Sequence, residues 1–281
     1  MTPSATINIR GRLVSLDIPK VMGILNVTSD SFYAGCRTLD EDGIAARIAA
    51  IRDEGADIID IGACSTRPGS DPVPADVEER RLLAALDMVR SQWPDAIISV
   101  DTFRADIARK CFHAGADIIN DISGGADPLM FDVMAEIKAP YILTHFPTDR
   151  KDTPDGIADP QGFLASVISW FAFTVKCLRE RGVCDIILDP GFGFGKSVEE
   201  NYLLMANLKQ LKKIGLPLLV GISRKSMIYR PLGITPAEAL PGTVTLDAVA
   251  LLNGADIIRV HDVADGVQTR NVVKLLTDHS S

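Results

Sequence analysis

At 281 residues the chain is long enough for one large domain or two small ones, and 47% hydrophobic with 23% charged residues fits a folded protein with a substantial core. A formal charge of −8 disfavours nucleic acid or an anionic membrane surface as a partner. The N-terminus, MTPSATINIRGRL, lacks the apolar stretch of a signal peptide, and the five cysteines form no CxxC pair, so a reduced, cytoplasmic setting is expected.

From the N-terminus onward, short β-rich runs alternate with helical ones. VMGILNV (21–27) precedes EDGIAARIAAIRDEGA (41–56), and DIIDIG (57–62) precedes ADVEERRLLAALDMVRSQW (75–93). AIISVDT (96–102), DIINDIS (117–123) and PYILTH (140–145) follow as strands. PQGFLASVISWFAFTV (160–175) is apolar but shorter than a bilayer requires, and reads as a helix packed on a core. DIILDP (185–190), the helical VEENYLLMANLKQLKKIG (198–215), LPLLVGIS (216–223) and DIIRVHD (256–262) complete the pattern. The helical stretches repeat apolar residues at three- and four-residue spacing.

Eight near-continuously apolar strands with crossover helices predict a closed (β/α)8 TIM barrel, an α/β fold in one domain over 1–281 with its core at about 20–278. The triplet GAD opens three strands, at 55, 115 and 254, where glycine can stop a helix in a left-handed cap. An open dinucleotide-binding sheet would want a glycine fingerprint after the first strand, and NVTSDSFYAGC has none.

In such barrels the active site lies at the C-terminal ends of the strands. Every strand here ends in polarity: Asn26, Asp60, Asp101, Asn120 with Asp121, His145, Asp189, Ser223-Arg224-Lys225, and Arg259 with His261. Asp101, Asn120 and Asp189 suit a flat heterocycle with several N–H donors. Arg67, Lys225, Arg259 and His261 suit phosphate or carboxylate. DPGFGFGKS (189–197) imitates a phosphate-binding loop, but Pro190 stands where GxxxxGKS needs glycine. The four histidines lack zinc spacing, so a resident metal would be Mg²⁺ held by few protein oxygens, with Asn26 one of them. Cys64 has no evident basic partner and reads as a small filler.

In order along the chain, GILNVTSDSF (23–32), DIGACSTRPG (60–69), SVDT (99–102), INDISG (119–124), ILDPGFGFGK (187–196), GISRKS (221–226) and RVHDV (259–263) resemble the dihydropteroate synthase family. That resemblance implies a cytoplasmic homodimeric barrel, the target of sulfonamides. Its reaction joins 6-hydroxymethyl-7,8-dihydropterin pyrophosphate to p-aminobenzoate, with Mg²⁺, and releases pyrophosphate. By the same resemblance Asp101, Asn120, Asp189 and Lys225 hold the pterin. Asn26 holds Mg²⁺, and Arg259 and His261 take the pyrophosphate. Ser65, Thr66, Arg67 and Pro68 lie on the loop completing the aminobenzoate pocket, with Phe194 and Ser223 nearby. A related pterin barrel, the methyltetrahydrofolate–corrinoid methyltransferases, would not need SRKS and RVHD arranged for pyrophosphate. A pterin-binding paralogue without activity is the other alternative. This sequence departs from the family in its first loop, at Cys64 where glutamate is common, and after the fifth strand, HFPTDRKDTP.

Overall fold

The computed structural model describes residues 5–27, 37–64, 73–147 and 159–279, with 37–40 as backbone alone. Two strands precede the barrel, β1 (Thr6–Ile9) and β2 (Arg12–Ser15). The eight barrel strands are β3 (Lys20–Asn26), β4 (Ile58–Gly62), β5 (Ile97–Asp101), β6 (Ile118–Asp121), β7 (Tyr141–Thr144), β8 (Ile186–Asp189), β9 (Leu219–Val220) and β10 (Ile257–Val260). All neighbours are parallel, in the order β8-β7-β6-β5-β4-β3-β10-β9, and a bridge between Leu188 and Leu218 closes β8 onto β9. The (β/α)8 expectation holds. β9 is shorter than its sequence suggested because Pro217 has no N–H and that of Leu218 goes to the Asp256 side chain.

The outer ring comprises α1 (Arg37–Asp53), α2 (Ala75–Gln92), α3 (Ala105–Ala114), α4 (Met130–Ile137), α5 (Pro160–Glu180), α6 (Val198–Ala206), α7 (Leu208–Lys212), α8 (Ser226–Leu232), α9 (Leu240–Leu252) and α10 (Val263–Asp278). The helix expected over 198–215 breaks at Asn207, whose side chain donates back to Leu203 O. α5 is long and apolar enough to cross a membrane, yet it buries Phe163, Leu164, Val167, Phe171, Val175 and Leu178 in the protein core. It is a core helix.

The hairpin of β1 and β2 had no sequence signal strong enough to mark it. Its turn, Arg10-Gly11, has positive φ at both residues (49° and 85°), the backbone of a tight hairpin loop. Ile7, Ile9 and Leu16 pack onto Met22, Ile58, Ile118, Ile142, Ile187, Leu219 and Ile257, the inward residues at the base of the barrel. The hairpin is a plug. Burying three such side chains contributes about 1.5–3 kcal/mol each.

The repeated GAD has two parts. Gly55, Gly115 and Gly254 take φ of 89°, 121° and 96°, the left-handed stop expected of them. The aspartates do something the sequence did not announce: each accepts a backbone N–H at or just before the start of a neighbouring strand. Asp57 takes Val21 N (2.9 Å), Asp117 takes Ile98 N (2.9 Å) and Asp256 takes Leu218 N (2.7 Å). Each also pairs with a basic side chain: Arg270, Arg90 and Lys212 respectively. Asp185 does the same for the plug, accepting Asn8 N at 3.0 Å.

Asp117 carries most in this set, because Arg10 of the plug also donates to it at 2.8 Å. Asp117→Ala leaves a buried N–H without its acceptor and two guanidinium groups without their carboxylate partner, so a loss of about 3 kcal/mol is expected in urea unfolding. A loss below about 1 kcal/mol would mean that water satisfies these donors.

Candidate active site

Side chains on a strand alternate faces, so the residues two positions above the apolar base line the next ring of the interior. That ring is Ile24, Asp60, Ser99, Asn120, Thr144, Asp189, Gly221 and Arg259, and polar side chains dominate it. Asn26, Gly62, Asp101, Ser223 and His261 stand above it at the mouth. Gly62 and Gly221 point inward without a side chain, which leaves room for a ligand. A Cβ on Gly62 would lie 3.5 Å from Asn26 Oδ1 and 3.7 Å from Asp101 Oδ2, so these two oxygens flank one gap.

Arg259 is the hub of the charges. Its Nε donates to Asp60 at 2.6 Å and its Nη2 to Asp101 at 3.1 Å. Asn120 Nδ2 donates to the same Asp60 oxygen at 3.2 Å. Asp60 Oδ1, Ser99 Oγ, Asn120 Oδ1 and Thr144 Oγ1 are buried and have no hydrogen-bond partner among the described residues. Buried polar atoms are normally satisfied, so a set of four around one floor marks a place for a polar ligand. Because Asn120 spends its N–H on Asp60, it presents its carbonyl; the floor therefore asks for N–H donors.

Burial shifts several titrations here. It pushes the Asp101 carboxyl up to about 7 against the pull of Arg259, and it raises Asp189, which Lys225 opposes. Lys225 is brought down to about 8, again by burial first, while Asp189 holds its charge. Its Nζ donates to Phe192 O at 2.6 Å and lies 4.5 Å over the Phe194 ring. Burial, then the Arg259 charge, brings His261 down to about 4, so its ring is neutral at pH 7 and meets Ser223 Oγ at 3.0 Å.

Asn26, Asp101, Asn120, Asp189, Phe194, Ser223, Lys225, Arg259 and His261 thus converge on one mouth, whereas Ser65, Thr66, Arg67 and Pro68 lie outside the described residues. Three other strand-end candidates face away. Asp121 points outward and accepts from Tyr141 Oη at 2.6 Å, and the His145 ring packs edge-on against Trp170 with centroids 5.0 Å apart. Arg224 turns outward through a left-handed backbone (φ 56°) and grips Asp262 at 2.8 and 2.9 Å. Sequence reading missed Ser99 and Thr144 and gave Asp60 no role, although each lies two residues after an apolar base position. It also missed Lys196, which donates to the carbonyls of His145, Gly191 and Phe194 (2.9, 2.9 and 3.2 Å). Gly191 is required in this loop: φ is 68° and a Cβ would come within 2.2 Å of His145 O. The imitation of a phosphate loop ends there, since its lysine is fully committed and Ser197 caps α6 in a capping box with Glu200.

A family described as pterin binding enzyme matches residues 22–261. The dihydropteroate synthase of Escherichia coli is 37% identical over 94% of this chain and 94% of its own. An inactive dihydropteroate synthase 2 of Mycobacterium leprae is also 37% identical, over 95% and 92%. A probable bifunctional folylpolyglutamate synthase/dihydropteroate synthase of Haloferax volcanii is 41% identical over 90% of this chain, which spans only 30% of that longer protein. Among solved structures, Xanthomonas albilineans dihydropteroate synthase with 4-aminobenzoic acid superposes with a TM-score of 0.88 at 35% identity, over 98% of each chain.

Beneath the Arg224–Asp262 pair, on α9, Asp247 is 1% exposed. Burial, with the Asp262 charge beside it, pushes its carboxyl up to about 8. The folded state therefore keeps a proton that the unfolded chain releases near pH 4, and stability is lost as pH rises from about 4 to about 8, by at most about 1.4 kcal/mol per pH unit. Asp247→Asn keeps the shape and removes the titration. The melting temperature of the variant relative to the unsubstituted protein is expected to climb between pH 5 and pH 8; a difference independent of pH would contradict the assignment.

Proposed function

Because the chain belongs to the pterin-binding enzyme family, among its dihydropteroate synthases, we propose that its mouth joins 6-hydroxymethyl-7,8-dihydropterin pyrophosphate to p-aminobenzoate. The observation that carries this reading is the floor of unpartnered acceptors and hydroxyls beneath a cluster of cations. The aminopyrimidinone edge of a pterin offers several N–H donors in one plane. Asp189 and the Asn120 carbonyl accept them, with Lys225 beside Asp189 and the Phe194 ring forming an apolar wall. Asp101, drawn up to about 7, is able to meet the ring in either protonation state.

The other end of the substrate leaves as pyrophosphate. Negative charge grows on it during bond breaking, where Arg259 supplies a fixed positive charge and neutral His261 a hydrogen bond. The electron-rich dihydropterin stabilises the cation left on its methylene carbon, and the arylamine attacks that carbon. The displacement is dissociative. No covalent enzyme intermediate is required, in keeping with the absence of an activated nucleophile among the described residues at the mouth. Mg²⁺ fits the exposed Asn26 side chain, whose oxygen flanks the gap shared with Asp101, and when bound it would offset the negative charge of the leaving group. Ser65, Thr66, Arg67 and Pro68 complete the aminobenzoate side of this reading, with Ser223 and Phe194.

A homodimer and a cytoplasmic setting belong to the same proposal. Val272, Leu275 and Leu276 expose an apolar stripe along α10, with Leu252 at the end of α9. Cys64, Cys111, Cys177 and Cys184 are free thiols. Light scattering is expected to give twice the chain mass, and a monomer at micromolar concentration would remove the dimer.

The decisive assay mixes protein with both substrates in Mg²⁺ and again in excess EDTA, with dihydropteroate followed by chromatography. Mg²⁺-dependent product is expected, slowed about 10²–10³-fold in Arg259→Ala, with little change in that variant's affinity for the pterin lacking pyrophosphate. Tight pterin pyrophosphate binding without product would instead identify a pterin-binding paralogue.

A further inference from the structure

Asp60 has no substrate contact assigned to it, yet two of the assigned groups hang on it. It is fully buried on β4, two strands from Arg259 on β10 in one direction and two strands from Asn120 on β6 in the other. One oxygen, Oδ2, accepts from both: Arg259 Nε at 2.6 Å and Asn120 Nδ2 at 3.2 Å.

That oxygen decides two orientations. The two ends of an amide have nearly the same shape, so only hydrogen bonding settles which faces a ligand. With Nδ2 spent on Asp60, the Asn120 carbonyl is left as a buried acceptor without a described partner. A guanidinium on its flexible stem is likewise fixed only by a second point of attachment. Arg259 has one on Asp60 and one on Asp101, the latter at 3.1 Å. Without Asp60, Asp101 would hold the guanidinium alone and the amide would be free to turn.

We propose that Asp60 is the positioning residue of the site, aligning the group that reads the pterin ring with the group that takes the leaving pyrophosphate. The proposal rests on the substrate reading above. It explains why a carboxylate is kept in the interior despite the cost of taking its charge out of water: one charged oxygen sets the ring end and the leaving end of the substrate in a single register. Misplacement by about 1 Å is enough to cost about 100-fold in rate.

Two double-substitution cycles test it, read by calorimetry with inorganic pyrophosphate and with 6-hydroxymethyl-7,8-dihydropterin. Asp60→Asn is expected to weaken pyrophosphate about 10-fold when Arg259 is present and not at all in Arg259→Ala. It is expected to weaken the pterin similarly when Asn120 is present and not in Asn120→Ala. In turnover, kcat should fall about 100-fold with a smaller change in KM. Asp60→Glu, which keeps the charge but displaces it, serves as a second variant should Asp60→Asn fold poorly, and is expected to show the same coupling. Losses that simply add in both cycles would reduce Asp60 to a structural residue and overturn the proposal. If the unsubstituted protein makes no dihydropteroate and ignores the pterin, the substrate reading fails, while the pyrophosphate cycle still decides whether Asp60 acts through Arg259.

Discussion

A guanidinium held by two carboxylates within the mouth of a barrel of apolar strands is the interaction on which the site depends. Arg259 would be expelled toward water without Asp60 and Asp101, and either carboxylate would be costly without Arg259. The low polarity that makes this trio interdependent also draws nearby groups toward neutrality, Asp101 upward and Lys225 and His261 downward. The site thus holds directional hydrogen-bonding groups with less charge than their residue types suggest. Little reorganisation is needed when an ionic substrate arrives, because the dipoles already point inward.

Much of the fold was legible because parallel strands buried on both faces leave uninterrupted apolar runs, and eight such runs with intervening helices admit few architectures. The hairpin plug escaped for the opposite reason. TINI and RLVS are four residues each, half polar, joined by Arg-Gly instead of a familiar turn pair. They become recognisable only when Ile7 and Ile9 meet the base of the barrel.

The polar lining was legible as chemistry but not as direction. Asn120 and Asp121 are adjacent and equally polar, and a shift of one position sends one into the mouth and the other to the Tyr141 hydroxyl. The same parity separates inward Thr144 from outward His145, and Ser223 and Lys225 from Arg224. Counting in twos from the apolar base of each strand would have found Ser99 and Thr144. Lys196 is different: no pattern in GFGFGKS reveals that its ammonium ties together three carbonyls of the loops beside it.

The clasps formed by Asp57, Asp117 and Asp256 sit at the end of the barrel opposite the mouth. They fasten strand to strand through backbone N–H groups, so their work does not depend on what the upper side chains are. Cohesion and chemistry are therefore drawn from different letters of the same short repeat: GAD holds the frame, and the residue three places later, Asp60, Asn120 or Arg259, serves the ligand. A change at an upper letter therefore leaves the clasps that fasten the strands in place.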